Sequence, residues 1–268
     1  MREAADISAQ AHIRAMQNCR AGTTEAQLEA ELIYQFMHRG ARHSAYPSIV
    51  GSGANACILH YTDNNSTLQN GQLVLIDAGC EYQHYAADIT RTFPVSGEFS
   101  PTQRALYDIV LAANQAAIAQ CHPGALFNAP HEAAIATMVE GLIALGLLQG
   151  EAVDIIRSEA YLQFCPHKSC HWLGLDVHDV GDYRLAGEWR PLQPGMVLTV
   201  EPGIYIPVDV TGRDNQQVSH AAGFVIEAAR GIGIRIEDDV LITESGCEVL
   251  SQRVPKTADA IEALMRAA

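Results

Sequence analysis

The sequence lacks several features that mark particular classes of protein. No apolar run approaches the roughly 20 residues that a helix needs to span a bilayer, and the opening residues, MREAADISAQ, contain no signal-peptide core. None of the seven cysteines belongs to a CxxC pair, so the pattern indicates neither a disulfide framework nor a cysteine-type zinc site. We therefore expect a cytoplasmic protein whose cysteines are mostly small buried side chains.

Basic residues are also scarce. The chain has 17 Lys and Arg against 31 Asp and Glu, for a net charge of -14. This balance argues against nucleic acid or an anionic membrane surface as a partner, and it fits an enzyme or a site rich in carboxylates. The 268 residues contain no low-complexity linker and no internal repeat, so we expect one domain spanning residues 1–268.

Hydrophobic periodicity and capping signals predict both helices and strands, which indicates the α+β class. Thr24 with Gln27, and Ser100 with Gln103, form capping-box patterns at two helix starts. The predicted helices cover residues 2–20, 24–40, 100–122, 130–148, 151–160 and 257–267. The predicted strands cover residues 49–61, 73–76, 89–93, 196–201, 224–228 and 232–243.

The stretch from Leu73 to Val95 carries the first chemical signal. An unbroken apolar run, Leu73 to Ile76, is typical of a strand buried on both faces, and it ends at Asp77. Asp88 then heads a second β-type run, so the two runs predict a hairpin that brings both aspartates together. Buried carboxylates need a partner or a metal ion. The alternative is that each aspartate only bounds a turn.

Two later strands also carry acids. The run that starts at Met196 ends in Glu201, and Ile234 to Glu237 alternates so that Arg235 and Glu237 share a face. For Glu237 the alternative is a salt bridge to Arg235 on a solvated face. Four ionised carboxylates in one pocket would need about four positive charges, which two divalent ions supply. Oxygen-rich ligation favours Mn²⁺, or another fairly hard ion, over a thiolate-type zinc site.

Histidines supply nitrogen ligands and donors near these acids. His167, His171 and His178 fall within 12 positions on a predicted loop that also contains glycine and tryptophan, and the strand-like run from residue 49 delivers His60. Each histidine taken singly is more often an ordinary polar residue. As a group they favour a site in which one binds metal while others contact substrate or stabilise an oxyanion.

Five motifs in order carry a resemblance to a known family: VLIDAG, DITRTF, HWLGLDVHDVG, PGMVLTVEPGIY and GIGIRIEDD. Together they resemble the pita-bread metallopeptidases of family M24, and most closely the aminopeptidase P (Xaa-Pro aminopeptidase) branch, with prolidase and methionine aminopeptidase as more distant members. The resemblance implies the pita-bread fold, in which helices cover a curved, mostly antiparallel sheet. It also implies that the family's separate N-terminal domain is absent from this chain.

The resemblance further implies two divalent ions, most often Mn²⁺, held by five ligands. Asp88 and Glu237 would bridge the ions, Asp77 would bind one, and His171 with Glu201 would bind the other. The implied reaction is two-metal hydrolysis of the bond between an N-terminal residue and proline, in which a water shared by the ions attacks the carbonyl. Glu201 would relay the proton to the leaving nitrogen.

The remaining site residues are also carried over from the resemblance. His60, His167 and His178 match active-site histidines, of which His178 and His60 would stabilise the oxyanion. Arg235 matches an arginine beside the ligands, and Tyr205 matches a tyrosine near the substrate pocket. The expected partner is a peptide with proline at its second position, and a homo-oligomer is left open.

Some alternatives and departures remain. A prolidase, which cleaves only Xaa-Pro dipeptides, would use the same site residues, and a metal-free creatinase-like hydrolase or an inactive pita-bread binding module would lack several ligands. Lys168-Ser169-Cys170 differs from the glycine-richer version common in the family, which leaves the local pocket shape open. Residues 210–230 resemble an insertion, which we interpret as a surface hairpin rather than a cover over the cleft.

Overall fold

The computed structural model describes residues 1–209 and 227–268. In these ranges the α-helices are α1 (Arg2–Asn18), α2 (Glu25–His38), α3 (Pro101–Ala119), α4 (Ala129–Ala144), α5 (Ala152–Arg157) and α6 (Ala258–Arg266). Each predicted helix is therefore present, with ends that differ by a few residues. The predicted insertion and the strand predicted at residues 224–228 fall largely on residues 210–226, outside the described residues.

The strands are short and, wherever they pair, antiparallel. They are β1 (His43–Ser44), β2 (Ile49–Ser52), β3 (Leu73–Asp77), β4 (Cys80–Tyr82), β5 (Tyr85–Ala86), β6 (Thr90–Pro94), β7 (Arg184–Leu185), β8 (Glu188–Trp189), β9 (Val197–Val200), β10 (Gly203–Ile206), β11 (Ile232–Arg235), β12 (Asp238–Ile242) and β13 (Cys247–Val249). Helices and antiparallel strands together confirm the predicted α+β class.

Side-chain caps fix where the long helices begin. The Thr24 hydroxyl accepts from the backbone N–H of Gln27, and the Gln27 side chain accepts from the backbone N–H of Thr24. Ser100 and Gln103 repeat this arrangement at the start of α3, with Pro101 in the first turn. Both capping boxes satisfy N–H groups that would otherwise lack partners at the helix start, as predicted.

The predicted central hairpin is confirmed. Strand β3 lies between β2 and β6, and its register pairs Asp77 with Thr90 on β6 and with Ile49 on β2. The first four residues of β3 are buried, as expected of a strand covered on both faces. The connection between β3 and β6 contains two further short strands, β4 and β5, which pair with each other.

Gly79 allows the two arms of this hairpin to approach closely. A Cβ atom at Gly79 would lie 1.7 Å from the backbone oxygen of Ala87, so any side chain would force the strands apart. Because Ala87 immediately precedes Asp88, the missing side chain of Gly79 sets how near Asp77 and Asp88 can lie.

The single strand predicted over residues 232–243 is in fact two strands. β11 pairs with β10, then the chain leaves that ladder and β12 pairs with β9. At the break, the backbone N–H of Ile236 donates to the oxygen of Pro202 and that of Glu237 donates to the oxygen of Thr90. Pro202 separates β9 from β10 in the same way. The interruption between β9 and β10 therefore lies opposite the interruption between β11 and β12. The break releases Glu237 from regular strand pairing.

One hydrophobic cluster extends from α1 to α6 and includes residues of the long helices and of the central strands. Inside it lies a buried ion pair, in which the Arg91 guanidinium lies 2.8 Å from Asp238 and both side chains are inaccessible to solvent. In the part of the chain that the structure describes, no helix has both the length and the apolar character needed to cross a membrane.

Candidate metal centre

A cavity of about 510 Å³ opens at the ends of the strands that carry the acids. The residues that line it are Leu59, His60, Asp77, Asp88, Phe127, Asn128, His131, His167, Lys168, Cys170, His171, His178, Tyr183, Trp189, Glu201, Arg235 and Glu237. The five predicted metal ligands therefore face one space. So do the three predicted active-site histidines and Arg235.

The antiparallel ladders explain why acids distant in sequence converge. Asp77 ends β3, and Asp88 lies two residues before β6, its ladder partner. Glu201 follows β9, and Glu237 lies in the break before β12, which pairs with β9. The ligand atoms of Asp88, His171 and Glu237 all lie within 4.8 Å of one another, a spacing at which one metal ion could contact all three.

The ring of His171 is oriented by the backbone. Its Nδ1 lies 3.0 Å from the oxygen of Trp172, to which it donates, so that Nε2 is left free. Nε2 lies 3.4 Å from a carboxylate oxygen of Asp88 and 3.4 Å from one of Glu201. A histidine held in this way presents the nitrogen lone pair that a metal ion needs.

Arg235 joins the acids to the substrate side of the cavity. Its guanidinium lies 2.6 Å from Asp77, 2.7 Å from the Tyr205 hydroxyl and 3.1 Å from the Thr90 hydroxyl. Glu237 accepts from Thr90 at 2.6 Å and is buried. The alternative prediction, an Arg235–Glu237 salt bridge on a solvated face, is therefore wrong, because both side chains are buried and Arg235 pairs with Asp77.

The acids are too crowded to ionise normally without a cation. Burial and the charge of Asp88 raise the pKa of Glu237 well above its ordinary value, and burial raises the pKa of Glu201 to about 8. Burial also raises the pKa of Asp77, against the opposing effect of Arg235. Burial would raise the pKa of Asp88 too, but the hydrogen bond and charge of His171 hold it below its usual range.

The donor set fits divalent metal ions. The groups are four carboxylates and one imidazole, and Arg235 is the guanidinium that lines the same cavity. One arginine cannot balance four carboxylates, whereas hard divalent cations bind such oxygen-rich sets. Asp77, Asp88, His171, Glu201 and Glu237 are the residues that could hold them.

The other predicted residues surround this cluster. His167 Nε2 lies 2.8 Å from the hydroxyl of Tyr205, and its Nδ1 lies 3.7 Å from Glu201. The ring of His178 packs edge-on against His171, with centroids 4.4 Å apart. His60 is exposed on the cavity wall. Tyr205 is almost fully buried.

Two residues near the acids were not predicted. The hydroxyl of Tyr46 lies 2.6 Å from Asp77 and 2.5 Å from Asp88, so it can donate to either carboxylate. Asp239 accepts from the backbone N–H of Asp88 at 3.2 Å. No pattern marks Tyr46 in the sequence. For Asp239 the signal was the acidic run that begins at Glu237.

Comparison with known proteins places the chain. The sequence pattern of Metallopeptidase family M24 matches residues 1–244, which is most of the chain. The chain belongs to metallopeptidase family M24.

Curated relatives of this M24 chain carry peptidase names. The chain is 49% identical to the Xaa-Pro aminopeptidase of Escherichia coli strain K12 over 268 residues, which is 100% of the chain and 58% of the relative. It is 39% identical to the human Xaa-Pro dipeptidase over 97% of the chain and 57% of that protein. The chain thus spans less than two thirds of the length of these relatives.

Solved structures agree. Aminopeptidase PepP of Pseudomonas aeruginosa, 54% identical, superposes with a TM-score of 0.94 over 100% of this M24 chain and 58% of the solved one. Zinc-substituted E. coli aminopeptidase P in complex with product, 49% identical, gives 0.92 over 99% of the chain and 57% of the solved one. The predicted pita-bread fold is confirmed.

The pKa shifts predict how the metal-free M24 chain responds to pH. Burial raises the pKa of Glu201 to about 8. Burial alone would lower the pKa of His171, but the hydrogen bond that its ring N–H donates to Asp88 raises this pKa to about 9. Both pKa values are higher in the folded chain than in the unfolded chain. The stability that Glu201 and His171 contribute is therefore lost as the pH rises through their folded-state pKa values. We expect the metal-free chain to lose about 2 kcal/mol per pH unit between pH 6.5 and 8, because both groups hold a proton in the folded chain that they lose on unfolding.

Thermal midpoints measured across this pH range with a chelator would test the expectation. Saturating Mn²⁺ should remove the decline, because the ions take the place of the bound protons. Glu201→Gln, which cannot titrate, should show a shallower decline without metal. A midpoint that rises with pH in the chelated chain would contradict the assignment.

Proposed function

We propose that this chain carries the catalytic site of an aminopeptidase that removes the N-terminal residue from peptides with proline at the second position. The observation that carries the proposal is the convergence of four carboxylates and His171 on one cavity. The names of the relatives support the same activity. A two-metal peptidase requires such an acid cluster, whereas a binding module does not.

We assign the five converging residues as ligands of two divalent ions, with Mn²⁺ as the expected metal. Asp77, Asp88, His171, Glu201 and Glu237 would hold these ions between them. When bound, such ions acidify a water molecule and polarise the scissile carbonyl. Support comes from the ligand atoms of Asp88, His171 and Glu237, which lie close enough to share an ion.

Glu201 is the residue we assign to proton transfer. Burial raises the pKa of Glu201 to about 8, so this carboxyl can accept and release a proton near neutral pH. It would take the proton of the attacking water and deliver it to the leaving prolyl nitrogen. His167 would pack beside that carboxylate, because its Nδ1 donates to the backbone oxygen of Lys168 at 2.8 Å and its Nε2 lies 2.8 Å from the Tyr205 hydroxyl, which holds the ring 3.7 Å from Glu201.

The remaining side chains would bind and orient the substrate. His178 and His60 line the cavity and could each donate an N–H to the oxygen that becomes negatively charged. Arg235 holds Asp77 and the Tyr205 hydroxyl in fixed positions. The substrate's amino terminus would lie against the acids. A prolyl nitrogen lacks an N–H, so the site needs no acceptor for it.

The experiment is an assay of the 268-residue chain, loaded with Mn²⁺, on Xaa-Pro-Yaa, Xaa-Pro and Xaa-Ala-Yaa. We expect hydrolysis of Xaa-Pro-Yaa, and turnover of Xaa-Ala-Yaa lower by about tenfold or more, since a pocket shaped for the proline ring gains less from a methyl group. Turnover of Xaa-Pro alone would instead support the prolidase reading, to which the human dipeptidase relative gives weight.

Metal content of the same sample separates an enzyme from an inactive module. An aminopeptidase should hold close to two ions per chain after Mn²⁺ loading, whereas less than one ion with no turnover would contradict the proposal. Glu201→Gln keeps the size of the side chain but cannot carry the proton, and it should lower kcat by about 10²–10⁴. Arg157→Gln, on the exposed face of α5, serves as the control.

We also propose a cytoplasmic location and a single catalytic domain over residues 1–268. All seven cysteines carry free thiols, which suits a reducing compartment. The continuous hydrophobic cluster from α1 to α6 supports one domain.

A further inference from the structure

We propose that Lys168 and His131 form a carboxylate-binding subsite on the cavity wall beside the acid cluster. The inference rests on the proposed peptidase function and names its substrate class: peptides that carry a carboxylate beyond the proline. That carboxylate can belong to an acidic third residue or to the C-terminus of a short peptide. Both present the same planar anion.

Lys168 is unusual in this chain. The sequence contains two lysines, and the other, Lys256, is engaged, because its ammonium lies 2.6 Å from Asp238 and 2.8 Å from the side-chain oxygen of Asn114. Lys168 is exposed and lines the cavity. Among residues 1–209 and 227–268, no carboxylate oxygen lies within 4.0 Å of its ammonium. An unpaired cation in an acidic chain is available to an anionic ligand.

His131 adds a neutral donor to the same wall. Its Nδ1 lies 3.3 Å from the backbone N–H of Ser169, which can only donate, so Nδ1 is an acceptor. The proton of the neutral ring is then on Nε2. Burial, with a further contribution from the charge of Lys168, lowers the pKa of His131 to about 4, so the ring is neutral at pH 7. A carboxylate between the two side chains would accept from both.

The backbone connects this pair to the catalytic residues. The N–H of Glu201 donates to the oxygen of Ser169 at 2.8 Å, and Lys168 follows His167 directly. The other cation facing the cavity, Arg235, is committed to Asp77 at 2.6 Å. A peptide whose amino terminus meets the acids and whose chain runs across the cavity could then place its downstream carboxylate against Lys168, which lines the same cavity.

Three tripeptides with the same Xaa-Pro start separate the two sources of the carboxylate. Xaa-Pro-Gln amide is neutral beyond its amino terminus, Xaa-Pro-Glu amide adds only a side-chain carboxylate, and Xaa-Pro-Gln with a free C-terminus adds only the terminal one. We expect one of the charged peptides to exceed the neutral one in kcat/KM by up to about fivefold, the size of a solvent-accessible ion pair. The difference should lie in KM, since the contact is remote from the scissile bond.

Variants of Lys168 make the test specific. Lys168→Gln should abolish the preference without changing kcat for the neutral peptide, and Lys168→Glu should transfer the preference to Xaa-Pro-Lys amide. Salt near 1 M, where the Debye length is about 3 Å, should weaken the wild-type preference. Arg157→Gln removes one positive charge from an exposed pair on α5 and should leave the preference intact.

The outcomes keep the two proposals distinct. Equal kcat/KM for all three peptides, or a preference that survives in Lys168→Gln, would overturn the subsite while leaving the peptidase assignment standing. Absence of turnover on every peptide with two ions bound would overturn the peptidase assignment itself. Because Lys168 is exposed, its variants should keep the wild-type thermal midpoint, which the same samples can verify.

Discussion

Asp88→Ala should lose metal binding and turnover together. Asp88 contributes one of the three groups whose ligand atoms lie within 4.8 Å of one another, and its other oxygen lies 2.5 Å from the Tyr46 hydroxyl. Removal of its carboxylate leaves His171 Nε2 facing Glu201 as its one remaining acid neighbour within 4.0 Å in the described ranges. Even loss of a partner that only orients a ligand costs about 10–100-fold in metal affinity, so removal of a carboxylate proposed to bind the metal directly should cost more.

Metal analysis after dialysis and an Xaa-Pro-Yaa assay on one preparation of Asp88→Ala would check this expectation. Asp154→Ala, which removes an exposed carboxylate that pairs with Arg157, is the matched control and should keep both properties. A folded Asp88→Ala chain that retains two ions and wild-type kcat would exclude Asp88 from the site. Full metal content with no turnover would separate its role in catalysis from ion binding.

Asp238→Ala should be the most destabilising of the substitutions considered. Its buried carboxylate contacts the Arg91 guanidinium at 2.8 Å, the Lys256 ammonium at 2.6 Å and the Ser251 hydroxyl at 2.6 Å. Alanine would leave Arg91 as an uncompensated charge inside the protein. Removing one partner of a buried ion pair costs roughly 3–5 kcal/mol.

Urea unfolding of metal-free protein would measure this loss without interference from the metal site. Asp238→Asn keeps an acceptor for Ser251 but removes the charge, so its loss should be smaller than that of alanine. The exposed Asp154→Ala control should stay within about 0.5 kcal/mol of wild type. If Asp238→Ala unfolds at the same urea concentration as wild type, the buried pair contributes nothing to stability.

The same pair connects the core to the acids. Arg91 donates to the backbone oxygen of Glu237 at 2.6 Å as well as to Asp238. The interruption between β11 and β12 lets the Glu237 side chain face the cavity, and the Arg91 guanidinium holds the backbone of Glu237 in place. We therefore expect surviving Asp238→Ala protein to bind metal more weakly, although Asp238 does not face the cavity.

Local sequence signals predicted the parts of the site that depend on strand ends. The apolar run before Asp77 and the β-branched run after Asp88 each determine a buried strand, and antiparallel pairing then brings the two acids together. Glu201 follows the same logic at the end of β9. Hydrophobic pattern and strand length suffice for these positions because they need no knowledge of distant partners.

The hydrophobic pattern could not predict which side chains contact one another. The partner of Arg235 proved to be Asp77, which is 158 positions away, and the strand alternation that suggested Glu237 carries no information on such contacts. Tyr46 lies outside any patterned element, yet its hydroxyl reaches both acids. The break after β11 depends on backbone acceptors from distant parts of the chain, namely Pro202 between β9 and β10, and Thr90 on β6. These features follow from tertiary packing.

The distribution of the acids along the chain has a consequence for how ions act on the whole molecule. Asp77 and Asp88 belong to one hairpin, but Glu201 and Glu237 lie beside the ends of strands more than 100 positions later. Bringing such distant segments together costs chain entropy, and this cost is offset by folding before any ion binds. Ions bound by all four acids would therefore join the β3–β6 hairpin to the later segments of the chain, and we expect chelation to weaken that association rather than the hairpin that supplies the first two acids.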